Sequence, residues 1–237
     1  MTVVEVRNLV KNYGDFQAVK GISFQIEKGE IFGLIGPNGA GKTTTLRVLS
    51  TLLTITSGTV KIMEFDLKHK PEEIRKIISY LPEDAGAYKN LTGKNYLEFI
   101  ANFFDQSKKQ KIINRGKKIA NLGKRINDKV DTYSKGMIRR LLIGRALMTN
   151  PKLAILDEPT SGLDVNNAQD IRNIIKETSQ TGTTFLISSH NMLEVEYLCD
   201  RIALINNGII VEEGTPNELK RKHNAANIEE VFTRVVK

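Results

Sequence analysis

The sequence has a single cysteine and no apolar run long enough to cross a bilayer. Cys199 cannot form a disulfide within the chain, which is typical of proteins from a reducing compartment. A spanning helix needs roughly 18–20 apolar residues in succession, and no segment reaches that length. The start, MTVVEVRNLV, has neither the basic residues nor the apolar core of a signal peptide. These absences argue against a secreted, disulfide-rich protein and against an integral membrane protein.

The composition is that of an ordinary globular chain with a moderate positive charge. Of the 237 residues, 40% are hydrophobic and 26% are charged, which argues against wholesale disorder. This length suits one large domain or one domain with an inserted subdomain. The net charge of +8 is compatible with nucleic acid, anionic lipid or nucleotide as a partner, so it selects no function by itself.

Short apolar runs alternate with helical patterns along most of the chain. The first 65 residues are predicted to be β-rich, because TVVEVRNLV and GISFQIEKG alternate and EIFGLIG is almost wholly apolar. Later runs of the same kind are KLAILDE, TTFLISSH and RIALINNG, with helical stretches such as NNAQDIRNIIKETSQ between them. This order predicts an α/β fold with a mostly parallel sheet covered on both faces and an N-terminal antiparallel β subdomain.

Residues 84–150 have little strand character, and we interpret them as a helical subdomain inserted into a single domain of residues 1–237. KNYLEFIANFF places four apolar residues on one helical stripe: Tyr96, Phe99, Ile100 and Phe103. The basic stretch KKQKIINRGKKIANLGKR is either a nucleic-acid patch or a solvated helix face. The second interpretation is favoured because no aromatic residues are interleaved with the charges.

The tail, residues 224–237, is predicted to form an amphipathic helix. NIEEVFTRVVK spaces Ile228, Phe232 and Val235 along one face of such a helix. That face either packs back on the domain or contacts a partner.

The segment GPNGAGKTT, residues 36–44, carries the strongest chemical signal. It fits the phosphate-loop pattern G-x-x-x-x-G-K-[ST] and lies between an apolar strand and a helix, as that pattern requires. The glycines let successive N–H groups point at phosphate oxygens, and the following helix adds its positive dipole end. Lys42 would reach the β- and γ-phosphates, and the Thr43 hydroxyl would hold Mg²⁺. The predicted ATP-binding residues here are Gly36, Pro37, Asn38, Gly39, Ala40, Gly41, Lys42, Thr43 and Thr44.

An acidic pair ends a second buried strand, LAILDEP, at residues 153–159. Ligands of open α/β sheets bind at the carboxyl ends of the strands, where Asp157 and Glu158 are expected to lie. Asp157 suits the Mg²⁺ shell, and Glu158 is the candidate general base for an attacking water. Together the two segments predict a P-loop NTPase core.

The chain resembles the ATP-binding subunits of ABC transporters over nearly its whole length. The phosphate loop, LAILDEP, SGLD at 161–164 and SSH at 188–190 appear in the family's order. The resemblance implies that His190 contacts the γ-phosphate and that Asp164 lies in a loop crossing a dimer interface. KNYG at 11–14 is similar to the segment whose aromatic residue stacks on adenine, so Tyr13 is the candidate. Phe16 is the runner-up, and a plain core aromatic is the third possibility.

YSKGM, residues 133–137, looks like a degenerate form of the family signature LSGGQ. In that family two subunits pack head to tail, and the signature of one faces the ATP held by the other. The resemblance therefore assigns Ser134, Lys135, Gly136 and Met137 to a partner's nucleotide. Lys135 and Met137 depart from the usual glycine and glutamine.

Glu83, in SYLPEDAGAY, stands where the family normally carries a glutamine. That side chain touches Mg²⁺ or a nearby water and links the nucleotide to the helical insert. A carboxylate can ligate Mg²⁺ too, but it adds negative charge beside Asp157 and Glu158.

The resemblance implies an Mg²⁺-dependent ATPase that drives transport, with a lean towards export, through a separate membrane permease. It also implies a second copy or a paralogue as partner and a place on the cytoplasmic face of the membrane. The groove near Tyr88, Leu91 and Tyr96 is the expected dock, unless these residues are core. An ABC ATPase acting on nucleic acid or ribosomes is the alternative, but the long coiled coil or second cassette of such relatives is absent. A small-molecule kinase would have no use for YSKGM or SGLD.

Overall fold

The computed structural model describes residues 1–236, and its N-terminal part forms a four-stranded antiparallel sheet. The strands are β1 (Thr2–Tyr13), β2 (Phe16–Glu27), β4 (Ser57–Ile62) and β5 (Phe65–Asp66), in the order β2-β1-β4-β5. Val4 and Val6 of β1 are buried, whereas Arg7 is exposed. The predicted antiparallel β region is confirmed.

The second sheet has six strands and forms the centre of the molecule. Its strands are β3 (Ile31–Ile35), β6 (Ile78–Leu81), β7 (Leu153–Asp157), β8 (Thr184–Ser189), β9 (Arg201–Asn206) and β10 (Ile209–Gly214). The order is β10-β9-β3-β8-β7-β6, and every neighbouring pair is parallel except β10 with β9. All residues of β3, β7 and β8 are buried, as expected for parallel strands covered on both faces.

Six helices outside the middle region complete the fold. They are α1 (Lys42–Leu49), α2 (Pro71–Ile77), α6 (Val165–Gln180), α7 (Met192–Leu198), α8 (Pro216–Lys222) and α9 (Ile228–Val236). The helix predicted to follow the phosphate loop ends at Leu49, although Leu52 and Leu53 continue its apolar pattern, because Thr51 adopts the left-handed conformation with φ +60°. In α9, Ile228 and Val231 are buried, and the helix packs against α7 and α8.

The middle of the chain is helical in the structure. It contains α3 (Gly93–Ala101), α4 (Lys109–Ala120) and α5 (Lys135–Leu147), with short 3₁₀ helices between them. An isolated antiparallel bridge pairs Thr92, just before α3, with Lys129. The predicted apolar stripe is only partly right. Phe103 lies beyond the end of α3 and is 72% exposed, whereas Tyr96 is buried in the core.

Within residues 1–236, none of the helices combines the length and the apolar character that a bilayer crossing requires.

Candidate active site

The loop between β3 and α1 closes around the Lys42 side chain. Gly41 caps α1 with φ +105°, and a Cβ added there would lie 2.7 Å from the carbonyl oxygen of Ala18. Only glycine fits this approach. Lys42 is 6% exposed, and its Nζ donates to the carbonyl oxygens of Gly36 at 2.7 Å and Pro37 at 3.2 Å. The loop therefore holds a buried cation at the amino end of a helix.

Asp157 lies at the carboxyl end of β7, against α1 and β8. Its carboxylate is buried, and Oδ1 accepts hydrogen bonds from the Ser188 hydroxyl and from Thr43 Oγ1, the latter at 3.3 Å. Thr43 and Asp157 are separated by more than a hundred residues in sequence. The fold therefore brings together two of the three residues that the sequence assigns to a magnesium ion, the third being Glu83.

Glu158 is held in an unusual backbone conformation. Its φ is +47°, a left-handed value that few non-glycine residues adopt, and its N–H donates to Ser188 Oγ at 3.0 Å. The buried carboxylate lies between two basic groups: Oε1 is 3.6 Å from Lys42 Nζ, and Oε2 is 2.9 Å from His190 Nδ1. Oε1 is buried and has no hydrogen-bond donor among the described residues. A buried acceptor left in this way is rare in native structures and indicates a site for a further group.

The residues around this acceptor fit a nucleoside triphosphate with a hard divalent cation. A Cβ at Gly39 would meet nothing within 4 Å, so the loop leaves open space above its backbone. Thr43 and Asp157 offer oxygen ligands, which Mg²⁺ prefers. No group of three or more His, Cys, Asp or Glu side chains in residues 1–236 is arranged to hold a metal. An ion here would therefore take part of its shell from phosphate and water, which is the usual Mg²⁺ arrangement in nucleotide sites.

A cleft of ≈ 240 Å³ extends from the loop to the N-terminal sheet. It is lined by Glu83, Glu158, residues 38–44 and two aromatic side chains, Tyr13 and Phe16. These two pair across the turn between β1 and β2 and are 46% and 66% exposed, so neither is a core aromatic. Both remain candidates for stacking on a base.

Glu83 follows β6 and is exposed at the edge of the same cleft. Its Oε1 accepts a hydrogen bond from Ser161 Oγ at 3.2 Å. Glu83 therefore meets the segment that leads from Glu158 to Asp164. Among the hydrogen bonds of residues 1–236, none joins Glu83 to Asp157 or Thr43.

The signature-like segment lies outside this cleft. Ser134 caps α5, and its hydroxyl accepts from the Met137 N–H at 3.2 Å. Lys135 extends over Gly162, where an added Cβ would lie 2.1 Å from its Nζ, and a Cβ at Gly136 would lie 2.0 Å from Asn167 Oδ1. None of Ser134, Lys135, Gly136 and Met137 lines the cleft that holds Lys42 and Glu158.

Asp164 caps α6 beside that segment. Its carboxylate accepts from the Asn167 backbone N–H at 2.9 Å and from Asn167 Nδ2 at 2.6 Å. These bonds favour the charged form and hold the pKa of Asp164 below its usual value. Asn167 therefore connects Asp164 to Gly136 within one chain.

Sequence reasoning missed three residues around Glu158. Ser188 bonds both Asp157 and the Glu158 backbone, Ser161 bonds Glu83, and the buried Arg139 of α5 donates to the carbonyl oxygens of Glu83 and Glu158. Burial lowers the pKa of the Arg139 guanidinium, whereas the nearby carboxylates Glu83, Asp157, Asp84 and Glu158 oppose this shift. One signal for Arg139 was available in the sequence: it is an arginine within the largely apolar helical segment IRRLLIGRALM, at a position that faces inward.

The fold and the site define a P-loop NTPase: a mostly parallel sheet, a glycine loop that closes on a lysine at a helix start, and acids at the carboxyl end of β7 in the same sheet. The profile of the family described as ABC transporter matches residues 19–161, and the chain belongs to this family. The predicted resemblance and fold class are confirmed.

Known proteins agree with this assignment. The linearmycin resistance ATP-binding protein LnrL of Bacillus subtilis is 37% identical over 219 residues, which cover 92% of this chain and 70% of LnrL. A solved structure of the ATP-binding subunit of an ABC transporter superposes with a TM-score of 0.87 at 28% identity, covering 99% of this chain and 100% of that one.

A dimeric ATP-binding cassette in a post-hydrolysis state, bound to ADP and Pi, superposes with a TM-score of 0.78 at 26% identity. The match covers 90% of this chain and 98% of that one. The chain is thus an ATP-binding subunit, an ATPase that drives transport through a separate permease.

Proposed function

We propose that Glu158 is the general base of ATP hydrolysis and that ATP occupies the cleft beside it. The observation that carries this proposal is the buried Oε1 of Glu158, which has no hydrogen-bond donor within residues 1–236 and lies 3.6 Å from the Lys42 ammonium at the base of the phosphate loop. A carboxylate so placed can accept a proton from a water, and His190, 2.9 Å from Oε2, can steady its other oxygen.

The other predicted site residues take supporting roles in this proposal. The loop N–H groups and Lys42 bind the phosphates, and Thr43 and Asp157 hold Mg²⁺, with Glu83 close to the ion or its water. By holding such an ion, Thr43 and Asp157 would place positive charge beside the phosphates. Tyr13, with Phe16 as the alternative, stacks on the adenine. The exposure of both rings at the cleft edge supports this assignment.

We further propose that two such subunits pack head to tail. Ser134 caps a helix of 13 residues that begins with Lys135, Gly136 and Met137, yet none of the four lines the ATP cleft of its own chain. A helix N-terminus is suited to an anion, so these residues fit the γ-phosphate of a second copy or a paralogue. Asp164, exposed beside them, would lie in the same interface.

The proposed place of the subunit is the cytoplasmic face of a membrane, bound to a permease. Tyr88 and Phe99 form an exposed aromatic pair with ring centroids 5.5 Å apart, which supports a dock near the start of the helical region. Tyr96 belongs to the core instead, so that part of the predicted dock is wrong. We propose residues 84–150 as an inserted subdomain and residues 224–237 as a tail.

The similarity to a linearmycin resistance protein supports export of a drug-like compound as the direction and substrate class. We expect no nucleic-acid partner, since exposed aromatics are not interleaved with the basic residues of α4. Two experiments separate a transport ATPase from an ATPase that acts on nucleic acid or ribosomes. The first predicts co-purification with a membrane protein, and the second predicts a gel shift with nucleic acid.

Glu158→Gln is the experiment that tests the base. The amide preserves the shape of the side chain but accepts no proton, so turnover should fall by about 10²–10⁴-fold while ATP still binds. Turnover and nucleotide affinity are measured on the same preparation. Glu64→Gln, which removes the charge of an exposed glutamate, is the matched control and should behave as wild type. Turnover near wild type in Glu158→Gln would refute the assignment.

A further inference from the structure

The guanidinium of Arg139 joins three separate parts of the chain. Arg139 lies in α5, and its Nη2 donates to the carbonyl oxygens of Glu83 at 3.3 Å and Glu158 at 3.4 Å. These residues are 56 and 19 positions away in sequence. One side chain therefore connects α5, which begins within the signature-like segment and is hereafter called the signature helix, with the loop after β6 and the peptide that carries the proposed base.

Arg139 contacts a peptide that needs support from outside. Glu158 has φ +47°, and non-glycine residues persist in this region only where their surroundings hold them. The N–H of Glu158 is held by Ser188 Oγ at 3.0 Å, and its carbonyl accepts from the Ser161 N–H at 3.2 Å as well as from Arg139. Ser161 lies in the same turn, so Arg139 is the donor that ties this carbonyl to another element.

The burial of Arg139 is costly, and the nearby carboxylates offset only part of this cost. Only 7% of the residue is exposed, and Nη1 has no hydrogen-bond acceptor among the described residues. A buried cation with an unused donor is often no more stabilising than an apolar side chain of similar volume. Positions that break such a rule in a native protein are expected to be functional or strained.

We propose that Arg139 is a positioning residue that orients Glu158 for hydrolysis and couples it to the signature helix of the same chain. This inference rests on the proposed role of Glu158. Movement of the first turn of α5, where Ser134 and Met137 lie, is transmitted through the guanidinium to the Glu158 carbonyl. Engagement of a partner's nucleotide by the signature segment then adjusts the base of the chain that carries it.

Arg139→Met, Arg139→Lys and Arg140→Met in the purified full chain test this inference. Arg139→Met keeps a long side chain in the same space but removes the donors to the carbonyls of Glu83 and Glu158. We therefore expect kcat to fall by about tenfold or more. The Kd for ATP should stay within about twofold, and Tm should not fall. Arg139→Lys retains charge without the planar fork and should recover only part of kcat. Arg140→Met is the control on the same helix, because Arg140 pairs with Asp170 at 3.3 Å and not with the Glu83 or Glu158 carbonyl.

If Arg139 had a merely structural role, Arg139→Met would lower Tm and ATP affinity together with kcat, and that result would overturn the proposal. A kcat of Arg139→Met within twofold of wild type would overturn it too. The double variant with Glu158→Gln gives a second criterion. Residues that act through one group are not additive, so Arg139→Met should reduce the residual turnover of Glu158→Gln no further. If Glu158→Gln itself stays active, the proposed base is wrong; if it is inactive while Arg139→Met is not, only the positioning role fails.

Discussion

The phosphate loop and the signature-like segment are two helix starts of opposite character. At the first, Lys42 is buried and its ammonium is met by two carbonyls and by Glu158. At the second, Ser134 and Lys135 are exposed, and the hydroxyl of Ser134 caps its own helix. The first site is assembled from several strands of one chain, whereas the second has only exposed Ser134 and Lys135 ahead of a buried glycine. The difference shows that two glycine-containing helix starts of similar composition differ in whether the sheet of their own chain places charged groups opposite them.

Ser134→Arg and Lys42→Ala should separate the two sites most strongly. Lys42→Ala removes a charged donor from the loop, so ATP affinity should fall about 10- to 100-fold in the monomer. Ser134→Arg should leave monomer affinity unchanged yet reduce hydrolysis by about 100-fold or more, because the arginine occupies the space for the partner's phosphate. Nucleotide titration is performed at a concentration where wild type is monomeric. Equal loss of monomer affinity in both variants would contradict the head-to-tail arrangement.

Gly136→Ala should disturb the second site through its packing. The new Cβ would lie 2.0 Å from Asn167 Oδ1, so the amide must leave its bond to Asp164. We expect the free energy of unfolding to fall by about 1 kcal/mol or less, because the clashing group is the end of a rotatable side chain and alanine suits a helix better than glycine. Chemical denaturation measures this change.

The double variant Gly136→Ala with Asn167→Ala should recover most of that stability, because it removes the clashing side chain. Gly86→Ala is the control, since a Cβ there meets nothing within 4 Å. A loss of stability that Asn167→Ala does not relieve would show that the contact between Gly136 and Asn167 is not the cause.

Glu83→Gln should have the smallest effect of the set. Glu83 is exposed, and exposed charge interactions are worth about 0.2–1 kcal/mol, so turnover should change by no more than about fivefold. The amide oxygen can still accept from Ser161 and still ligate Mg²⁺. Turnover is measured against Mg²⁺ concentration in both proteins. A collapse of turnover together with Mg²⁺ dependence would mean that the carboxylate itself is required.

Predictions from the sequence were most accurate where the signal is local. The spacing within GPNGAGKTT and the acidic pair in LAILDEP lie inside single strand-to-loop transitions, and the structure places both at the same edge of the sheet. The limits of α1 and α3 were less predictable, because Leu52 and Phe103 continue an apolar pattern beyond the point where the backbone leaves the helix. Periodicity reports which side chains suit a helix, and it does not report where packing ends it.

The sequence by itself determined the family, the nucleotide chemistry and the order of the elements, because these depend on residue types at short, rigid spacings. Only the tertiary structure decided that Tyr96 is core and Tyr88 is surface, that Glu158 adopts a left-handed backbone, and that Arg139 reaches it from α5. Such facts depend on which elements pack together after folding. Contacts over 19 or 56 positions leave no periodic trace in the chain, since they are formed by the sheet order and not by neighbours in sequence.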